Sequence, residues 1–229
     1  MPDRYRTYEG VVVSRRGLPS GDVMLRLVTP EGPVEAVARS AQRPGGRSGR
    51  LGLFYRLTFQ VYRRPGAELA TLTQATLEEA LAPRQPFRFA AAGFLAELAW
   101  KTLSPEVAAR GYPVFVSGLR GVAAADEPRV PLIWAGFRLL ALAGYAPAGR
   151  GRYLAPEGRF SEEAGGGGVF LGAPGEEALR AVLTRPGKEA ARALAAAPLD
   201  RLQEALLRYA EHQLEGMRSA RALRGLAPS

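Results

Sequence analysis

Tyr55-Arg56-Leu57-Thr58-Phe59-Gln60-Val61-Tyr62-Arg63 alternates apolar and polar side chains along its length. A period of two marks a pleated strand with one buried face, here Leu57, Phe59 and Val61, and one outward face, here Arg56, Thr58, Gln60 and Tyr62. The pattern extends upstream. Val11-Val12-Val13 lies in an extended run ending at Ser14-Arg15-Arg16-Gly17, and Val23, Leu25 and Leu27 alternate with Met24, Arg26 and Val28. A third strand is predicted over residues 34–39. Gly17-Leu18-Pro19-Ser20-Gly21-Asp22 and Thr29-Pro30-Glu31-Gly32-Pro33 read as the turns between these strands. Arg64-Pro65-Gly66 turns the chain into a fifth strand over 69–73. Five short strands within residues 1–80 predict a small closed barrel, with the oligonucleotide-binding (OB) barrel as the leading candidate.

Beyond Phe87 the spacing becomes helical. Leu95, Leu98 and Leu103, with Phe94 and Trp100, define a first helix, and a break is expected near Gly111-Tyr112-Pro113 before a second helix through Leu119. A third, roughly Leu132 to Ala143, stops at Gly144-Tyr145-Ala146-Pro147. Regularity fails over 147–175, which holds the run Gly165 to Gly168. Helical spacing resumes at Glu176, and Leu199, Leu202, Leu206 and Tyr209 form the apolar stripe of a long last helix. The fold class is therefore α+β: an N-terminal five-stranded OB-type barrel (1–80), then a helical domain (81–229) with an irregular lobe at about 147–175.

With 31 Lys+Arg against 22 Asp+Glu, the chain carries a formal charge of +9 and attracts polyanions: nucleic acid, anionic membrane or acidic protein tails. Arginine supplies nearly all of the base, Lys101 and Lys188 being the only lysines, as a GC-rich coding bias would produce. Cysteine is absent, and the one histidine, His212, sits among Glu211, Gln213 and Glu215 on a predicted surface helix, so disulfides and Cys/His zinc sites are excluded. No apolar stretch approaches the length of a membrane span, and a soluble, cytoplasmic protein is expected.

Catalytic patterns are missing. Glu78-Glu79, Glu162-Glu163 and Glu176-Glu177 are adjacent pairs, which on a helix diverge by about 100° instead of converging on one atom. Gly187-Lys188 has Val182 where a phosphate-binding loop needs its first glycine and Glu189 where it needs a hydroxyl. The expectation is a non-enzymatic protein with no cofactor and no metal.

The stretch from Arg39 to Arg64 is free of acids. It carries Arg39, Arg43, Arg47, Arg50, Arg56, Arg63 and Arg64, interleaved with Phe54, Tyr55, Phe59 and Tyr62. Fixed cations along a groove neutralise phosphates, and exposed aromatic faces stack bases. Phe54 and Phe59 are expected in the barrel core; Tyr55 and Tyr62 are candidates for stacking. The glycine-rich loop bearing Arg43, Arg47 and Arg50 should be mobile when free. Arg15 and Arg16 at the first turn join the candidate DNA-contacting set. So do Arg218 and Arg221 of a second basic stripe, Arg218, Arg221 and Arg224, which has no acid near it in sequence.

These residues resemble the bacterial RecO recombination-repair family. The resemblance is carried by Glu9-Gly10-Val11-Val12-Val13-Ser14-Arg15-Arg16, by Gly21-Asp22 leading to Leu27-Val28-Thr29-Pro30-Glu31-Gly32, and by Ala38-Arg39-Ser40-Ala41, Arg47-Ser48 and Leu53-Phe54. Leu139-Leu140 with Gly144-Tyr145-Ala146-Pro147, and Arg218-Ser219 with Leu223, extend it over nearly the whole chain. It implies binding of single- and double-stranded DNA, annealing of complementary strands, and action with RecR to load RecA onto strands covered by single-strand-binding protein, whose acidic C-terminal tail is a further partner. Association with the nucleoid follows. Many members hold zinc through two Cys-x-x-Cys pairs; the corresponding positions here, Gly151, Leu154, Leu171 and Pro174, offer no ligand, so the 147–175 lobe reads as a metal-free vestige resting on Tyr153, Phe160 and Phe170. Two other functions fit the barrel and charge: an RNA-binding protein of translation or ribosome assembly, and an adaptor capturing acidic protein tails.

Overall fold

The computed structural model describes residues 5–42, 48–64, 66–67, 69–165 and 167–228. Its first five strands are β1 (Tyr5–Gly17), β2 (Val23–Thr29), β3 (Gly32–Ala38), β4 (Tyr55–Tyr62) and β5 (Ala70–Ala80). They close into a barrel in the order β1-β2-β3-β5-β4. Every neighbouring pair is antiparallel except β3 and β5, which run parallel through Ala36–Ala70 and Val37–Thr71. This is the OB-type arrangement within an α+β fold.

Alternation builds the interior. Val12, Val23, Leu25, Leu27, Val34, Ala36, Leu57, Phe59, Val61 and Leu72 form one buried cluster, with Leu51 added just after the short 3-10 helix Ser48–Arg50. β1 serves two partners because it is long: Tyr5 to Val11 pairs with β4 and Val11 to Gly17 with β2, with a bulge between Val12 and Ser14 easing the bend. Gly10 sits where a methyl group would lie 2.9 Å from the Val28 carbonyl and 3.0 Å from the Phe59 ring, so only a hydrogen fits.

Several expectations change here. Phe54 is buried but lies outside the inner cluster; its φ of 60° lets its N–H donate to the Val12 carbonyl at 2.8 Å while its own carbonyl accepts from Leu81 N–H at 3.1 Å. Val28, assigned to the outward face of β2, is fully buried outside that cluster as well. β5 runs far past Thr73, placing Glu78 and Glu79 on a strand, with Glu79 3.2 Å from Arg56.

Seven helices follow among the described residues: α1 (Pro86–Thr102), α2 (Pro105–Ala124), α3 (Arg129–Leu142), α4 (Gly172–Thr184), α5 (Gly187–Ala195), α6 (Leu199–Gln213) and α7 (Ser219–Arg224). The chain forms two compact units, one of residues 1–82 and 103–112, the other of 83–102 and 113–229. In the second, α1 and α3 are the most apolar helices; α1 packs on α3 and α7, and α3 on α6.

No break occurs at Gly111-Tyr112-Pro113, because Pro113 is accommodated inside α2. The helix instead starts at Ser104-Pro105-Glu106, where the Ser104 carbonyl accepts from Val107 and Ala108 N–H at 3.0 and 2.9 Å and proline occupies the first helical position it suits. Gly111 is small because the Leu103 side chain lies against it.

The 147–175 lobe is more regular than expected. β6 (Tyr153–Leu154), β7 (Phe160–Ser161) and β8 (Val169–Phe170) form a three-stranded sheet with β6 in the middle, their two-residue lengths being too short to show alternation in sequence. Leu154 and Leu171 are buried, and Tyr153 packs on Phe170 with ring centroids 5.0 Å apart. Zinc does not fit: Gly151, Leu154, Leu171 and Pro174 present no donor side chain, and among the described residues no group of three or more His, Cys, Asp or Glu could hold a metal ion. No helix among them is long and apolar enough to cross a membrane.

Candidate nucleic-acid interface

The end of β3 is where the barrel gathers its loops. Val23–Ala38 and Met24–Val37 pairing brings loop 18–22 beside it, and Ala36–Ala70 and Val37–Thr71 pairing brings the start of β5, and with it the β4–β5 connection that opens at Arg63, to its other side. In OB barrels the β2–β3 face and these two loops are the surface used for oligonucleotides.

Cross-strand pairing also defines a continuous outward row. Arg16 lies opposite Met24, Met24 opposite Val37, Val37 opposite Thr71, Thr71 opposite Tyr62, and Tyr62 opposite Tyr5. The row leaves β1 near its end and returns to it near its start, five strand spacings of about 4.8 Å each, or about 24 Å of path. Its ends, Arg16 and Tyr5, are exposed, and the residues between are half-buried. Tyr5 and Tyr62 sit with ring centroids 5.1 Å apart, tilted at 45°, and Tyr5 is 51% exposed. A row with cations at one end, apolar floor in the middle and paired tyrosines at the other can seat phosphates and bases together.

Charge separates the arginines into two groups. Arg16, Arg39, Arg50, Arg63 and Arg64 are exposed and make no ion pair among the described residues. Arg39 follows β3, and Arg63 and Arg64 open the β4–β5 connection, so these three flank the row. Arg15 is exposed on the opposite face of β1 from Arg16, in register with Leu25. Arg50 ends the short 3-10 helix. Arg43 and Arg47 lie outside the described residues.

Two candidates change character. Arg56 is tied within the barrel wall: its Nη1 donates to Glu9 at 3.0 Å, and its Nε lies 3.2 Å from Glu79 without the alignment of a hydrogen bond. Tyr55 shares the inward parity of Leu57, Phe59 and Val61 and packs half-buried against the core, with Gly52 closely beneath its ring. Period two accounts for Tyr55, whereas Arg56 keeps its outward parity and is held by carboxylates that β1 and β5 bring to it.

Arg218 and Arg221 are in the second unit, exposed at and after the start of α7. That stripe does have acids near it in space. The Glu97 carboxylate accepts from Arg218 and Ser219 N–H at 3.1 and 2.8 Å and from Ser219 Oγ at 2.6 Å, capping α7. Arg224 pairs with Glu204 at 3.1 Å and Glu211 at 2.8 Å, and these bonds raise its pKa.

Tyr5, Met24, Val37 and Thr71 were not singled out by sequence. Tyr5-Arg6-Thr7-Tyr8-Glu9 shows no period of two, and the outward parity of Tyr5 follows only once Tyr8, three positions on, is seen to stack on Phe59 inside at 5.6 Å. The parallel β3–β5 contact that inserts Thr71 has no local signature.

Residues 1–81 match the family model described as recombination protein O N terminal. No curated protein matches the chain.

Proposed function

We infer that this chain, whose residues 1–81 match the recombination protein O N-terminal family, serves recombination and repair, and that its barrel binds DNA and anneals complementary single strands. The observation that carries this is the outward row from Arg16 to Tyr5, flanked by Arg39, Arg63 and Arg64, which make no ion pair among the described residues. Cations that neutralise the phosphates of two strands lower their mutual repulsion, and tyrosines that stack bases without reading their edges leave the pairing edges free. Double-stranded DNA is held through phosphates alone. The role requires no covalent step and no cofactor.

In this proposal RecR is the working partner, the acidic tail of single-strand-binding protein recruits the chain to coated strands, and RecA is loaded as a consequence. The test is annealing of complementary strands coated with single-strand-binding protein, followed by loss of a fluorescent intercalator-free signal from paired end labels. Acceleration by this chain, reduced in an Arg39→Ala/Arg63→Ala/Arg64→Ala variant, is expected. Annealing no faster than with the coating protein alone would overturn the proposal, and acceleration confined to RNA strands would move the function to RNA.

A further inference from the structure

An acid stands inside the candidate interface. Asp22 closes loop 18–22, half-buried, and its Oδ1 accepts the backbone N–H of Ser40 at 2.7 Å. Gln42 N–H donates to the Gly21 carbonyl at 3.1 Å, so the loop and the segment after β3 are stitched at two neighbouring points. Ser40 has a φ of 53°, left-handed backbone that a residue with a Cβ adopts only at a cost of about 1–2 kcal/mol. The Asp22 bond offsets that cost. Directly before Ser40 stands Arg39, exposed and without an ion pair among the described residues.

We propose that Asp22 is a positioning residue for nucleic-acid binding: its carboxylate holds the left-handed turn at Ser40 and so fixes the backbone from which Arg39 reaches a phosphate. This rests on the barrel being a nucleic-acid interface. It reverses the sign that charge alone dictates, because deleting a negative charge beside a polyanion should tighten binding.

The test measures anisotropy of a labelled single-stranded oligothymidylate across a salt series, using the full chain with Asp22→Ala and Asp22→Asn and recording thermal melts of each. Asparagine keeps an oxygen acceptor in place and removes only the charge. Asp22→Ala is expected to bind about fivefold more weakly, the loss attending one hydrogen bond of ordinary worth, with a salt slope shallower by about 0.7, one phosphate contact. Asp22→Asn is expected to bind at least as tightly as the unaltered chain. An Asp22→Ala protein that melts cooperatively and binds as well as or better than the unaltered chain overturns the proposal, as does Asp22→Asn binding as poorly as Asp22→Ala. Should Asp22→Ala fail to melt cooperatively, the comparison passes to Asp22→Ala/Ser40→Gly, since glycine takes the turn without strain; weakened binding is again expected, and parity overturns it. An unaltered chain that fails to bind the oligonucleotide removes the interface itself, a result distinct from either.

Discussion

Tyr62 is the residue through which the barrel would touch bases. It is half-buried on the outward face of β4, its ring 5.1 Å from that of Tyr5, and directly precedes Arg63 and Arg64, so a base stacked there has its phosphates beside two cations that make no ion pair among the described residues. Tyr62→Ala is expected to cost about 1–3 kcal/mol of single-strand binding, and Tyr62→Phe to retain most of it, since the ring face and not the hydroxyl makes the contact. Equal affinity of the alanine variant in anisotropy titrations would place stacking elsewhere. Side-chain parity made Tyr62 legible in the sequence. The same rule, followed one position further back, assigns Tyr55 to the core side, because an aromatic at the odd phase of Leu57 and Phe59 shares their face. Arg56 had the right parity and still lost its freedom, since Glu9 and Glu79 reach it from β1 and β5, strands distant in sequence.

Among the elements, strands were read more faithfully than helix boundaries. Gly111 and Pro113 signalled a break that packing overrode, whereas the helix start at Ser104-Pro105-Glu106 carried the appropriate local chemistry. The 147–175 sheet was unreadable because two-residue strands cannot display a period. Helix-to-helix ties are equally non-local: the Glu127 carboxylate accepts from Arg129, whose other end pairs with Asp200 on α6. The hydrogen bonds from Arg129 outweigh burial and hold the Glu127 pKa below 4.5. A carboxylate depressed in the folded state stabilises it above its unfolded pKa, and this is lost as pH falls through the folded value. Glu127→Gln should therefore lower thermal stability near about pH 6 by a few tenths of a kcal/mol, the pair being solvent-screened, with the deficit shrinking toward about pH 3. A deficit constant over that range would mean that the loss is steric.

Across the whole chain both units share the formal charge of +9, and each holds arginines of two kinds. Arg26 and Arg56 in the first unit and Arg129, Arg180, Arg208 and Arg224 in the second are engaged with nearby carboxylates, while Arg218 and Arg221 in the second and Arg16, Arg39, Arg50, Arg63 and Arg64 in the first stand without ion pairs among the described residues. Acid-free sequence between Arg39 and Arg64 foreshadowed this. What it did not supply was the closure of β5 onto β3, a pairing between segments more than thirty residues apart that sets Tyr62 across β5 from Val37, with Arg39 two residues past Val37 and Arg63 and Arg64 directly after Tyr62. In the proposed function, barrel closure thus brings arginines distant in sequence to the flanks of one outward row. The most direct measurement is the salt dependence of single-strand affinity for the unaltered chain and for Arg39→Ala/Arg63→Ala/Arg64→Ala. A steep log-log slope, made shallower by about 2 in the triple variant at about 0.7 per phosphate, is expected; an affinity indifferent to salt, or a slope unchanged by the three substitutions, would contradict a barrel that tracks the phosphate backbone.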